Sequence, residues 1–119
     1  MGRQRVVITG IGVIAPNGIG KDNFWYALKT GRCGIKKISF FDASDFPVRI
    51  AGEVRNFNPE EFIEKKKARR MARFSQFAVA CTKMALKDTD MSPEEVQKKY
   101  PGIVMGISST DFETMEEQC

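Results

Sequence analysis

The sequence predicts an α/β fold in which helices cover parallel strands, and three observations predict it. Two β-branched runs, Arg5-Val6-Val7-Ile8-Thr9 and Ile103-Val104-Met105-Gly106-Ile107, lack polar alternation, the pattern of strands covered on both faces. Met71, Phe74, Ala78, Cys81 and Ala85 recur at three- and four-residue steps, flanked by Phe77, Met84 and Leu86. That spacing predicts a long, largely buried helix ending near Asp88. The resulting order of strand, helix, excursion, long helix, strand and helix start is the alternation of an α/β layer fold.

Each element has a local reason. After the first run, Gly10, Gly12, Pro16, Asn17, Gly18 and Gly20 punctuate a loop. Asp22 is a candidate cap for a helix through Leu28, with Phe24, Trp25 and Leu28 as its apolar face and Gly31 as its stop. From Gly34 to Val54, short apolar groups alternate with Asp, Ser, Pro and Gly. This predicts a surface excursion with at most short strands at Ile35 to Phe41 and Val48 to Val54. Asn58-Pro59 reads as a cap and first helical position of a short helix through Glu64. Ser92-Pro93-Glu94-Glu95 is a capping box opening a short helix to about Lys99, and Thr110 with Glu113 repeats the pattern. Two central-type strands with open edges imply further chain or a partner.

The composition is that of a globular domain: 119 residues, 42% hydrophobic and 29% charged. No apolar run approaches the roughly 18 residues that span a bilayer, so no membrane association and a cytoplasmic location are expected. Cys33, Cys81 and Cys119 are odd in number and widely spaced, and the chain contains 0 histidines, so no metal or disulfide framework is indicated. Cys81 lies on the apolar helix face and Cys33 in a glycine-flanked loop, neither in the setting of an activated nucleophile. No catalytic residue and no cofactor is assigned.

The net charge of +4 conceals an uneven distribution. Lys65, Lys66, Lys67, Arg69, Arg70 and Arg73 form a basic run, and Lys66, Arg69, Arg70 and Arg73 fall at helical steps that let several share a face. Such a face attracts an anionic partner in a salt-dependent way. Nucleic acid is disfavoured because Phe74 and Phe77 keep the apolar register instead of interleaving with the cations. Gly10-Ile11-Gly12-Val13-Ile14-Ala15 satisfies a dinucleotide-binding glycine pattern, but Pro16, Asn17 and Gly18 stand where its phosphate-binding helix would run. Structural glycines at a strand exit are the preferred reading, and a nucleotide-binding module the lesser alternative.

The stretch Arg5-Val6-Val7-Ile8-Thr9-Gly10-Ile11-Gly12-Val13-Ile14-Ala15-Pro16-Asn17-Gly18 resembles the opening of the elongating β-ketoacyl-acyl-carrier-protein synthases, closest to the type II enzymes. Phe24-Trp25-Tyr26-Ala27-Leu28, Phe41-Asp42, Ala51-Gly52, Phe57-Asn58, Arg69-Arg70-Met71-Ala72-Arg73-Phe74 and Gly102-Ile103-Val104-Met105-Gly106 continue the likeness. The resemblance implies an incomplete N-terminal part of a thiolase-like, layered α/β/α/β/α fold spanning residues 1–119. It also implies an enzyme that loads an acyl group on a cysteine and condenses it with a decarboxylating malonyl-carrier thioester, aided by two histidines. The sequence would then stop before the nucleophile, and alone be inactive. Lys66, Arg69 and Arg70 match basic positions with which the family holds an acidic acyl carrier protein, and Ser109 stands near a position lining its acyl pocket. A homodimer is implied for the complete enzyme only. The alternative within the family is a non-catalytic partner subunit.

Overall fold

The computed structural model describes residues 3–89 and 91–108. They fall into two compact units, Gly12–Asn58 and the described parts of Met1–Ile11 with Pro59–Cys119.

In the first unit, β1 (Ile14–Ala15) and β2 (Gly18–Ile19) pair antiparallel, with Ile14 opposite Ile19 and Ala15 opposite Gly18. Pro16 and Asn17 form the two-residue connection, one fixing φ and the other tolerating tight turns. Helix α1 (Lys21–Lys29) follows. Its cap is Gly20 at φ 83°, not Asp22, which sits in the first turn where its charge favours the helix dipole. The Asn23 side-chain amide donates to the Ile19 carbonyl at 2.9 Å. The helix stops as the glycine predicts: Gly31 adopts φ 65°, its N–H donates to Leu28 O at 3.2 Å, and the Arg32 N–H donates to Ala27 O at 2.8 Å. These two bonds satisfy terminal carbonyls in the Schellman arrangement.

The excursion forms β3 (Lys36–Lys37) and β4 (Ile50–Ala51), antiparallel, with Lys36 opposite Ala51 and Lys37 opposite Ile50. Both lie inside the two stretches expected to hold short strands. Ala27, Ala43 and Phe57 are the buried apolar residues of this unit.

In the second unit, Pro59–Glu61 makes a single 3-10 turn and not the α-helix expected through Glu64. The α-helical turn begins later, as α2 (Lys65–Ala68). Helix α3 (Arg73–Asp88) ends where the periodicity places its end, and α4 (Pro93–Lys98) carries the expected capping box. There the Glu95 N–H donates to Ser92 Oγ at 3.2 Å and the Ser92 N–H donates to Glu95 Oε2 at 2.7 Å. Ile63, Ala68 and Ala80 are buried.

Three expectations are corrected in this unit. Arg5–Thr9 and Ile103–Ile107 pair in no ladder among the described residues, and Val6 and Val104 are 94% and 97% exposed. A strand is stable only when a neighbouring backbone takes up its N–H and C=O groups, and none among the described residues does so. The parallel pairing expected of them is therefore absent from the described residues, where both ladders are antiparallel. Third, α3 is half-buried, with Ala80 its one residue buried completely, and Phe74 and Leu86 exposed. The N-terminal segment still reaches the end of α3: the Ile11 N–H donates to Asp88 Oδ2 at 3.1 Å. Among the described residues no helix is long and apolar enough to cross a membrane.

Candidate basic docking surface

The basic run is divided by its own backbone. Helix α2 closes after one turn with Arg69 N–H donating to Lys65 O at 3.2 Å, then tightens through Arg70 N–H to Lys67 O at 3.0 Å and Met71 N–H to Ala68 O at 3.2 Å. Such i to i−3 bonds are the usual way a helix end narrows. Ala72, at ψ 146°, then turns the chain into α3. Buried Ala68 anchors the turn from within.

This backbone path sorts the cations. Lys66, Arg69 and Arg70 line one open groove together with Lys65 and the Glu64 side of the turn. Arg73 is carried away on α3, where its guanidinium lies 5.1 Å from the Phe77 ring centroid one turn on, a cation–π contact. Of the four residues at helical steps, of which several were expected to share a face, three share this groove, because the helical path is broken at Ala72.

Ion pairing sorts them again. Lys65 pairs with Glu60 at 3.5 Å and Lys67 with Glu64 at 3.6 Å, so these two carboxylates engage residues outside the predicted trio. Lys66, Arg69 and Arg70 are exposed, and their side chains have no hydrogen bond or ion pair among the described residues. Three adjacent positive charges with no internal partner leave a field that an anionic surface can neutralise.

Sequence reasoning missed Gln76. Its side-chain amide donates to Ala68 O at 2.9 Å and to Met71 O at 3.2 Å, bracketing the Arg69-Arg70 turn from α3. The available signal was a primary amide among the apolar and small residues of that helix.

The other candidates stand apart. Cys33 is exposed, its sulfur accepting from the Ile35 N–H at 3.4 Å. Cys81 lies midway along α3, half-buried on the face expected to be apolar, and neither thiol is in a disulfide. The segment Ile14–Ile19, where a dinucleotide-binding helix would begin, is the β1–β2 hairpin. Ser109, the Thr110–Glu113 capping pattern and Cys119 lie outside the described residues.

Comparison with known proteins gives one family. The model for "Beta-ketoacyl synthase, N-terminal domain" matches residues 3–118. The chain is 37% identical over 116 residues to 3-oxoacyl-[acyl-carrier-protein] synthase 2 of Synechocystis sp., covering 98% of this chain and 28% of that protein. It is 40% identical over 106 residues to the protein of the same name from Coxiella burnetii, covering 89% and 26%. Among solved structures, the ishigamide ketosynthase/chain length factor superposes with a TM-score of 0.72 at 36% identity, over 79% of this chain and 23% of that one. The chain thus spans little more than a quarter of the length of these curated relatives. The structural likeness agrees with a partial layered α/β fold.

Proposed function

Because the chain belongs to the β-ketoacyl synthase family, matching its N-terminal domain, we propose that it is the opening segment of a condensing enzyme acting on carrier-bound thioesters in fatty-acid or polyketide synthesis. In this reading the 119 residues supply scaffold and a docking surface for an acidic acyl carrier protein. The acyl-accepting cysteine and the histidines that stabilise oxyanion charge are supplied by the remainder of a homodimeric parent.

The observation that carries the docking surface is the groove lined by Lys66, Arg69 and Arg70, whose side chains form no ion pair among the described residues, beside Lys65 and a Glu64 that pairs with Lys67. The names of the relatives refer to the acyl carrier protein, which supports such a carrier as the occupant. Long-range attraction of this kind acts mainly on encounter and weakens as salt shortens the Debye length to about 8 Å at physiological ionic strength.

The test is charge reversal at Arg69 and Arg70 in the complete enzyme. Arg69→Glu with Arg70→Glu should raise the KM for carrier-bound substrate by tenfold or more at low salt, roughly 1.4 kcal/mol or more, and by less at high salt. The KM for a small free thioester should stay where it was. An unchanged KM for the carrier-bound substrate at low salt would refute the docking surface.

A second reading is favoured by the solved neighbour, whose name couples a ketosynthase with a chain length factor. There the parent would be a non-catalytic partner that keeps the fold. A nucleophilic cysteine in the parent, trapped by acylation and located by mass spectrometry, decides for the enzyme.

A further inference from the structure

We infer that Gln76 is a positioning residue for the Lys66, Arg69 and Arg70 surface, holding the turn that presents it by clasping two of its carbonyl groups from α3. The inference rests on the docking role proposed above for what the turn presents, but not for the clasp itself.

The geometry is specific in its polarity. Both partners of the Gln76 side chain are carbonyl oxygens, Ala68 O at 2.9 Å and Met71 O at 3.2 Å, so only the NH2 end of the amide can serve. The two carbonyls flank Arg69 and Arg70: one belongs to the last residue of α2, the other to the residue just after the arginines. Ala68 O also accepts the Met71 N–H at 3.2 Å, so the amide of Gln76 completes a small network at the base of the turn. The two bonds to Gln76 are part-buried, where a carbonyl that loses its donor is not freely compensated by water.

The helical register fixes the clasp from the other side. Gln76 lies in the first turn of α3, its own N–H donating to Ala72 O at 3.1 Å, so the side chain projects back toward the chain that precedes the helix. An α2 of four residues has little stability of its own, and the two arginines at its end carry like charges. Without the clasp the turn samples other conformations, and the three cations cease to form one groove.

The decisive variant is Gln76→Met, which keeps the length, approximate volume and helix propensity of the side chain, adds no charge and removes both donors. Measured by hydrogen exchange on the complete enzyme, the segment 66–73 should exchange roughly two- to tenfold faster than in the wild type. Its dissociation constant for a purified acyl carrier protein should rise by a similar factor. Ser92→Ala, which removes the distant cap of α4, controls for general destabilisation and should change neither reading. Unchanged exchange at 66–73 overturns the clasp. Faster exchange with unchanged carrier affinity, while charge reversal at Arg69 and Arg70 does weaken binding, overturns the positioning role. If charge reversal leaves carrier affinity intact, the docking reading fails instead, and the exchange measurement alone decides whether Gln76 holds the turn.

Discussion

The guanidinium of Arg55 converges on a single oxygen of Glu53: Nε and Nη2 donate to Glu53 Oε2 at 3.0 and 2.7 Å. The same carboxylate accepts the Ser39 N–H at 2.9 Å, the Ser39 hydroxyl at 2.9 Å and the Phe40 N–H at 3.1 Å. Arg55 Nη2 also donates to Lys37 O at 2.6 Å. Two residues just past β4 thereby tie down the chain leaving β3, where the ladder itself is only a pair of residues on each side. No pattern in the sequence marked this pair.

The Glu53 contacts give a pH signature. The Ser39 N–H foremost, with the Ser39 hydroxyl, the Phe40 N–H and Arg55, lowers the Glu53 carboxyl from 4.5 to about 2, against the opposing effect of desolvation. A carboxylate with a depressed folded-state pKa stabilises the fold above its unfolded value, and that contribution disappears as pH falls through the folded one. Glu53→Gln should therefore lower Tm at pH 7, with the gap to wild type closing between pH 4.5 and about 2. Thermal melts over that range check it, and a gap constant with pH would contradict it.

At Ser92 the reciprocal capping bonds stabilise a helix of only six residues. Ser92→Ala should cost about 1 kcal/mol of α4 stability, and Ser92→Asp, which keeps an acceptor, much less. Amide exchange within Pro93–Lys98 is the measurement, because a cap loss acts on this helix first.

The centre of α3 is closed to solvent at Ala80. Ala80 is 0% exposed, so Ala80→Leu must displace its neighbours and should destabilise by roughly 1–3 kcal/mol. Thr82→Leu, two positions along and exposed, should have a far smaller effect. Denaturant titration of both variants tests the contrast.

Val6, Ile8 and Val104 are 94%, 83% and 97% exposed in β-branched segments without ladder partners among the described residues. Such segments pair readily with other chains. The isolated chain should associate as concentration rises, and Ile8→Lys with Val104→Lys should suppress this. Analytical ultracentrifugation reads the outcome, and a wild-type chain that stays monomeric at high concentration would refute it.

The sequence alone determined what depends on neighbours a few residues apart. The end of α3 at Asp88, the stop at Gly31 and the capping box at Ser92 all follow from local backbone preferences and local hydrogen bonds. It also located the basic cluster and, by resemblance, the family. Tertiary structure decided what depends on distant partners. Arg5–Thr9 and Ile103–Ile107 carry strand-like sequences but pair with nothing among the described residues, because a ladder is a property of two segments and not of one. The basic run divides at Ala72, so that Arg73 goes to Phe77 while Lys66, Arg69 and Arg70 stay together. Which cations are left unpaired, and that Gln76 clasps the turn beneath them, follow from carboxylates and carbonyls brought close by folding. Helical spacing can place charges on a face, but only the path of the backbone decides whether that face continues.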